Sequence, residues 1–253
     1  MSGAKGDQHS GMHGGGIANP IHALSHIIAS MKGIDGKITV DGFYDDVVDL
    51  TAEDKKAIAK IPFDDENYAK ELGVTETFGE VGYTTPERLW ARPTYELNGI
   101  WGGYQGKGTK TVLPAKAHAK ITCRLVANQK PEKIYELLRV HIENNVPPGV
   151  SVEVKQLAGS ANPFLVPHGH NSSQIAGRVL HDLYGKEPFN IRVGGSIPVM
   201  SMLLEELGVH ATMFAFGLED EQIHAPNEFF RLESFMKGQV GYCKLLEEFG
   251  KGV

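Results

Sequence analysis

Cysteine is scarce: Cys123 and Cys243 are the only two in 253 residues. They form no CxxC pair and no disulfide framework, which excludes a small stapled scaffold and favours a reducing compartment. No apolar run approaches the roughly 20 residues that a membrane-spanning helix needs. The opening MSGAKGDQHSG lacks the apolar core of a signal peptide. Positive charge is not in excess either. Lys and Arg number 25 against 31 Asp and Glu, a net charge of −6 with no basic stripe, so nucleic acid is not an expected partner. Repeats and low-complexity segments are missing too. The expectation is a soluble, cytoplasmic protein with neither membrane nor nucleic acid as partner. What is present is ordinary globular material, 41% hydrophobic and 22% charged, enough for one large domain or two small ones.

Polar groups concentrate in the stretch from Arg192 to Glu228, which reads as loop, helix, buried strand and loop. Gly194-Gly195-Ser196 precedes an apolar-periodic helix over Ile197–Leu207, and a helix start of that kind suits a carboxylate or phosphate. His210–Phe216 is a short apolar run of strand type. It leads to the acidic residues Glu219-Asp220-Glu221 and then to His224-Ala-Pro-Asn-Glu228. An imidazole among carboxylates at a strand end reads either as a metal ligand or as a surface histidine in an acidic loop.

Asn19-Pro20 is an N-cap followed by a first helical residue, and the helix to Met31 carries Ile21, Leu24, Ile27, Ile28 and Met31 on one face. His22 and His26 lie one turn apart without the Glu of an HExxH site, and read as surface histidines. Residues 37–94 look like a surface elaboration with short charged helices, one of them opened by a Thr51/Asp54 capping box. Tyr95–Trp101 reads as a strand. Gly102–Gly108 is glycine-rich, but Gly106-Lys107 is followed by Gly108 and a strand, so a phosphate loop fails on context. In the strand Ala117–Val126, Ile121, Cys123 and Leu125 share one face, and Lys120, Thr122 and Arg124 the other. A helix follows from Lys130, then an alternating strand over Val150–Leu157. Without the insertion, the first 158 residues read β-α-β-β-α-β, an antiparallel sheet with two helices on one face. From Pro163 helix and buried strand alternate, as in an α/β domain. His168-Gly-His170 sits in a Pro/Gly loop and reads as structural.

Several of these strings together resemble the M20 family of metallopeptidases, in its dipeptidase branch. They are His9-Ser-Gly followed by glycines and Asn19-Pro20, the GFYDD string at Gly42, Thr111-Val-Leu-Pro114, Arg124-Leu-Val, Gly194-Gly195-Ser196-Ile-Pro198 and His224-Ala-Pro-Asn-Glu228. The resemblance implies a ferredoxin-like βαββαβ lid (dimerisation) domain over 1–158, with an insertion at about 37–94. Residues 159–253 would be the C-terminal α/β portion of the catalytic domain.

The same resemblance implies roles for single residues. His9 reaches across a homodimer and steadies the tetrahedral oxyanion in the partner's site. Thr111 contacts substrate across the dimer, and Arg124 grips the substrate's C-terminal carboxylate, for which a guanidinium fork is suited. Ser196, with Gly195 beside it, binds substrate, and His224 is a zinc ligand. Gly159 stands where relatives often carry a substrate-binding histidine. The complete family site holds two zinc ions, and its other ligands and its Glu-Glu base precede the lid. The expectation is therefore the C-terminal two-thirds of a zinc-dependent hydrolase of small peptides with a free C-terminal carboxylate, inactive alone and binding zinc weakly. The alternative is a non-catalytic dimerisation or ligand-binding fragment.

Overall fold

The computed structural model describes residues 1–192 and 197–251. The chain divides into two compact units. The first runs Met1–Pro163 and is rejoined from Ile191; the second comprises Phe164–Asn190 and the chain from Ile197 onward.

The first unit contains, in order, β1 (Gln8–His9), α1 (Ser10–His13), α2 (Pro20–Met31), α3 (Ala52–Ala59), α4 (Asp65–Leu72), α5 (Thr85–Ala91), β2 (Thr94–Gly102), β3 (Val112–Leu113), β4 (Ala117–Arg124) and α6 (Pro131–Asn144). Strands β2 and β4 pair antiparallel, from Thr94 opposite Arg124 to Gly102 opposite Ala117, with an irregularity between Leu97 and Gly99. The chain start extends this pair: Met1 and Gly3 bond to Ala117 and Ala115, and Ser2 exchanges two 2.8 Å backbone bonds with Ser151. The expected strand over Val150–Leu157 is thereby reduced to one bridge at Ser151. Its neighbour bends away after Gly3, leaving the row nothing further to pair with.

Helices α2 and α6 cover one face of this row. Ile27 and Met31 from α2, Ile134 and Ile142 from α6, and Tyr95 from β2 form the core, with Ile121, Cys123 and Leu125 packed against it. Burial pushes the Cys123 thiol up to about 12, so it is a packing group and not a nucleophile. Asn19 caps α2, its side chain accepting the Ile21 N–H at 2.9 Å, and Pro20 fills the first turn. The Thr51/Asp54 capping box of α3 is formed, and α5 opens with a second from Thr84 and Glu87. His22 and His26 are exposed, as expected.

The 37–94 segment is more than a cover. Ile38, Val40 and Phe43 enter the same core, and buried Gln129 donates to the Phe43 carbonyl at 2.8 Å while accepting the Val126 N–H. At its far end Arg92 grips Glu80 through two 2.8 Å contacts.

The second unit contains α7 (Asn171–Tyr184), α8 (Pro198–Leu207), a single 3-10 turn at Glu219–Glu221 and α9 (Leu232–Gly250). Ala176 and Val179 of α7 pack with Phe214 and Phe216, and Leu180, Leu183 and Leu245 close the cluster. A Cβ at Gly241 would meet the Phe216 ring at 2.6 Å, so glycine lets α9 approach. The α/β expectation is corrected here. Among the described residues this unit has no strand, and His210–Phe216 shows strand-like alternation of burial without any ladder.

Candidate functional site

The sequence placed His9 and Thr111 in motifs about a hundred residues apart, and the fold sets them side by side. Strand β1 pairs β3 with His9 opposite Val112, and the next N–H, from Ser10, donates to the Thr111 carbonyl at 3.0 Å. Both residues are exposed. His9 also caps the short helix α1: its Nδ1 accepts the Gly11 N–H at 3.0 Å. That bond fixes the tautomer, because a nitrogen that accepts carries no proton. In the neutral ring the proton therefore sits on Nε2, which is left as a donor. The glycine of His-Ser-Gly has a physical reason as well. A Cβ at Gly11 would lie 2.8 Å from His9 Cε1 and 3.1 Å from Nδ1, so any larger residue displaces the ring.

Arg124 ends β4 opposite Thr94, whose hydroxyl accepts its backbone N–H at 3.3 Å. Its side chain is on the outward face, and no described carboxylate forms an ion pair with it. Sequence reasoning missed what shares its face. Trp101 and His118 stack with ring centroids 4.9 Å apart and planes 9° apart, and the Lys120 ammonium lies 5.8 Å from the Trp101 ring. The strand alternation that placed Lys120 beside Arg124 also places His118 there.

His224 lies in a loop shaped by a buried carboxylate. Glu221, 2% exposed, accepts the Leu218 N–H at 2.8 Å, the Arg231 N–H at 3.0 Å and the Arg231 guanidinium at 3.1 Å. The Leu218 N–H first, and then Arg231, hold its carboxyl below the usual range. Around it Gln222, His224 and Asn227 all adopt left-handed backbone, with φ of 56°, 62° and 65°. Left-handed non-glycine residues cost free energy and gather at functional loops. The His224 N–H donates to Glu228 at 3.3 Å, and its side chain is exposed.

Gly195 and Ser196 lie outside the described residues. Arg192, just before them, pairs with Asp54 at 2.5 Å. Burial opposes ionisation of Asp54, but the Thr51 hydrogen bonds and Arg192 outweigh it and hold the carboxyl low. Gly159 has open space around it and a φ of 102°, so the position has room for a histidine but a backbone that favours glycine. His170 is the N-cap of α7, its Nδ1 meeting the Ser172 hydroxyl at 2.7 Å and N–H at 3.3 Å. It borders a cavity of about 450 Å³ with Ser172, His210, Thr212, Phe214 and Phe249, where the His210 Nδ1 is buried without a partner.

Among the described residues no three His, Cys, Asp or Glu side chains are grouped to hold a metal. A catalytic zinc takes three protein ligands and an open position. His224 alone does not meet that need, so the described residues do not fit a complete zinc site.

The sequence profile of the M20 peptidase dimerisation domain matches residues 2–150, and the chain belongs to that family. Over nearly its whole length it is similar to curated metallodipeptidases. It is 30% identical to the Cys-Gly metallodipeptidase of Candida albicans, over 97% of this chain and 50% of the relative. It is 27% identical to the human Beta-Ala-His dipeptidase, over 92% of this chain and 46% of the relative. An M20 family metallo-carboxypeptidase from Sulfolobus solfataricus superposes with a TM-score of 0.84 at 30% identity, covering 97% of this chain and 56% of that one. Human carnosine dipeptidase 1 superposes at 0.75 and 27%, covering 96% and 51%. The chain spans about half the length of the relatives it matches.

Proposed function

We propose that this chain supplies the lid and the C-terminal catalytic portion of an M20-type, zinc-dependent hydrolase of dipeptides or related aminoacyl amides. In this reading residues 1–158 are the lid and 159–253 belong to the catalytic domain. A ferredoxin-like lid is supported by the row Ser151, Ser2, β4, β2, with α2 and α6 as its two crossovers. The family to which 2–150 belong is a dimerisation domain, which supports a homodimer formed through the lid.

The observation that carries the reading is the corner at which His9 and Thr111 meet. Two exposed residues from distant motifs, one a histidine whose Nε2–H is left free, are brought to neighbouring backbone positions. Facing a partner's site, His9 would donate to the oxyanion of a tetrahedral intermediate and Thr111 would contact substrate. Arg124 would hold the substrate's free carboxylate in a two-point contact, and Ser196 with Gly195 would bind substrate from the C-terminal portion. Zinc in a complete site supplies Lewis-acid activation. His224 is the ligand this chain would contribute, and the remaining ligands must come from polypeptide beyond the described residues.

A second reading, a non-catalytic dimerisation or ligand-binding module, is favoured by the absence of any three-residue metal group among the described residues. Zinc content and dipeptide hydrolysis by the purified chain separate the two. The proposed role of Arg124 is tested in the hydrolytically complete protein. Arg124→Ala removes a charge-assisted contact of about 1.5–3 kcal/mol, so kcat/KM for dipeptides should fall roughly ten- to a hundred-fold. C-terminally amidated substrates should be nearly unaffected. Equal losses on both would make Arg124 structural.

A further inference from the structure

The outward face of the β2–β4 pair carries two rings that the first unit does not use for its own packing. Trp101 is 42% exposed and stacks flat on His118, and neither belongs to the core under α2 and α6. The irregularity between Leu97 and Gly99 keeps Trp101 on the outward row, which reads Thr94, Glu96, Gly99, Trp101 along β2. Opposite them on β4 stand Arg124, Thr122, Lys120 and His118, all exposed. Gly99 has no side chain to cover the indole. A stacked pair left outside a core is a surface for another flat or apolar group.

The two ends of this face hold different parts of the proposed site. Arg124 stands at one end. At the other, β2 leads from Gly102 through the glycine-rich loop to Thr111, beside His9. From Arg124 to His118 is six residues of strand, about 20 Å. A dipeptide is about 7 Å long. Side chains stand roughly perpendicular to a sheet, so they do not close that gap within one copy. Two copies can close it. Strand β2 ends the row Ser151, Ser2, β4, β2, and among the described residues no strand pairs with its other edge. It lies within the dimerisation-domain match. A two-fold that pairs β2 with itself, outward row against outward row, sets the partner's Trp101 opposite Thr94. Arg124 flanks Thr94 on the other side, so two strand spacings, about 10 Å, separate it from the partner's Trp101.

We infer that the partner's Trp101, braced by the partner's His118, is the wall against which the side chain of the substrate's C-terminal residue packs. The wall selects large apolar side chains, aromatic ones above all. This rests on the proposed reading of Arg124 as the carboxylate grip. With the carboxylate fixed there, the adjoining side chain is the part of a dipeptide that reaches towards the partner's strand. The indole offers it dispersion and stacking, and the Lys120 ammonium, 5.8 Å from the ring, disfavours a cation.

The test uses the hydrolytically complete protein and two substrates, alanyl-phenylalanine and alanyl-glycine. Trp101→Ala should lower the ratio of their kcat/KM values roughly three- to tenfold, mostly through KM. Trp101→Phe should restore most of it, and His118→Ala, which removes the brace, should lower it less. Subunit exchange then tests the partner's role. Chains carrying Arg124→Ala are mixed with chains carrying Trp101→Ala, and heterodimers are isolated. One of their two sites keeps both residues, so hydrolysis of alanyl-phenylalanine should reach about half that of the unsubstituted dimer, well above either parent.

An unchanged ratio in Trp101→Ala, or in His118→Ala should the first variant not fold, would overturn the wall. Heterodimers no more active than the parents would overturn its place across the dimer. If Arg124→Ala costs free and amidated substrates equally, the proposed reading of Arg124 fails and this inference fails with it. If Arg124→Ala does discriminate between them while Trp101→Ala leaves the ratio unchanged, this inference alone fails.

Discussion

Arg92 is the buried cation that holds the 37–94 segment together internally, and its removal has a cost that the structure allows to be worked out. The side chain is 9% exposed and meets Glu80, itself 12% exposed, through Nε–Oε2 and Nη2–Oε1 contacts of 2.8 Å each. The rings of Tyr83 and Tyr44 lie 4.4 and 4.8 Å from its guanidinium carbon. A more distant contact to Asp49, at 3.6 Å, involves an acid that is 88% exposed and contributes little. Arg92→Ala leaves the Glu80 carboxylate buried without its cation, a loss in the range of about 3–5 kcal/mol. The two cation–π contacts are part of the same loss. We expect about 3–4 kcal/mol by urea denaturation of the purified chain, with an unchanged m-value, and a melting temperature roughly 10 °C lower. Glu80→Leu with Arg92→Met removes both charges and keeps apolar volume, so it should recover much of that loss. A loss under about 1 kcal/mol for Arg92→Ala, or a double variant worse than the single one, would refute the claim that this pair stabilises the segment.

Gly11→Ala should displace the His9 ring, since its Cβ would fall within 2.8 Å of that ring. The hydrolytically complete protein should then lose roughly a hundredfold in kcat with little change in KM, as for loss of one oxyanion donor. Acid should open the His224 loop. The Glu221 carboxyl is held below its ordinary value, so its contribution is present above the unfolded-state pKa, near 4.5, and is lost as pH falls through the lower folded value. Proteolysis between Leu218 and Arg231 should therefore accelerate below about pH 4, and Glu221→Gln should show that faster cleavage already at pH 7.

The elements with strong local signals were legible from sequence. Asn19-Pro20, the Thr51/Asp54 box and the alternation in β4 each state their structure within a few residues, and each is present. What failed were elements whose structure depends on a distant partner. Val150–Leu157 and His210–Phe216 both alternate as strands do, but alternation records which face is buried and not whether a neighbour completes the ladder. The 37–94 segment read as a surface because its charged helices dominate its composition. Its anchor, Phe43, is a single residue whose burial depends on contacts with distant parts of the chain. At the candidate site, residue roles came from motif resemblance. The proximity of His9 to Thr111, the tautomer of His9 and the stacked Trp101–His118 pair came only from the fold.

The most direct measurement of the central claim is rescue in trans. A full-length M20 dipeptidase whose counterpart of His9 is alanine keeps its own zinc site but lacks the oxyanion donor. It is mixed with this chain under conditions that let dimers exchange, and heterodimers are verified by native mass spectrometry. The account predicts that dipeptidase activity rises with added chain, saturates as heterodimers form, and stays flat when the added chain carries His9→Ala. Heterodimers that form without any gain in activity would contradict it.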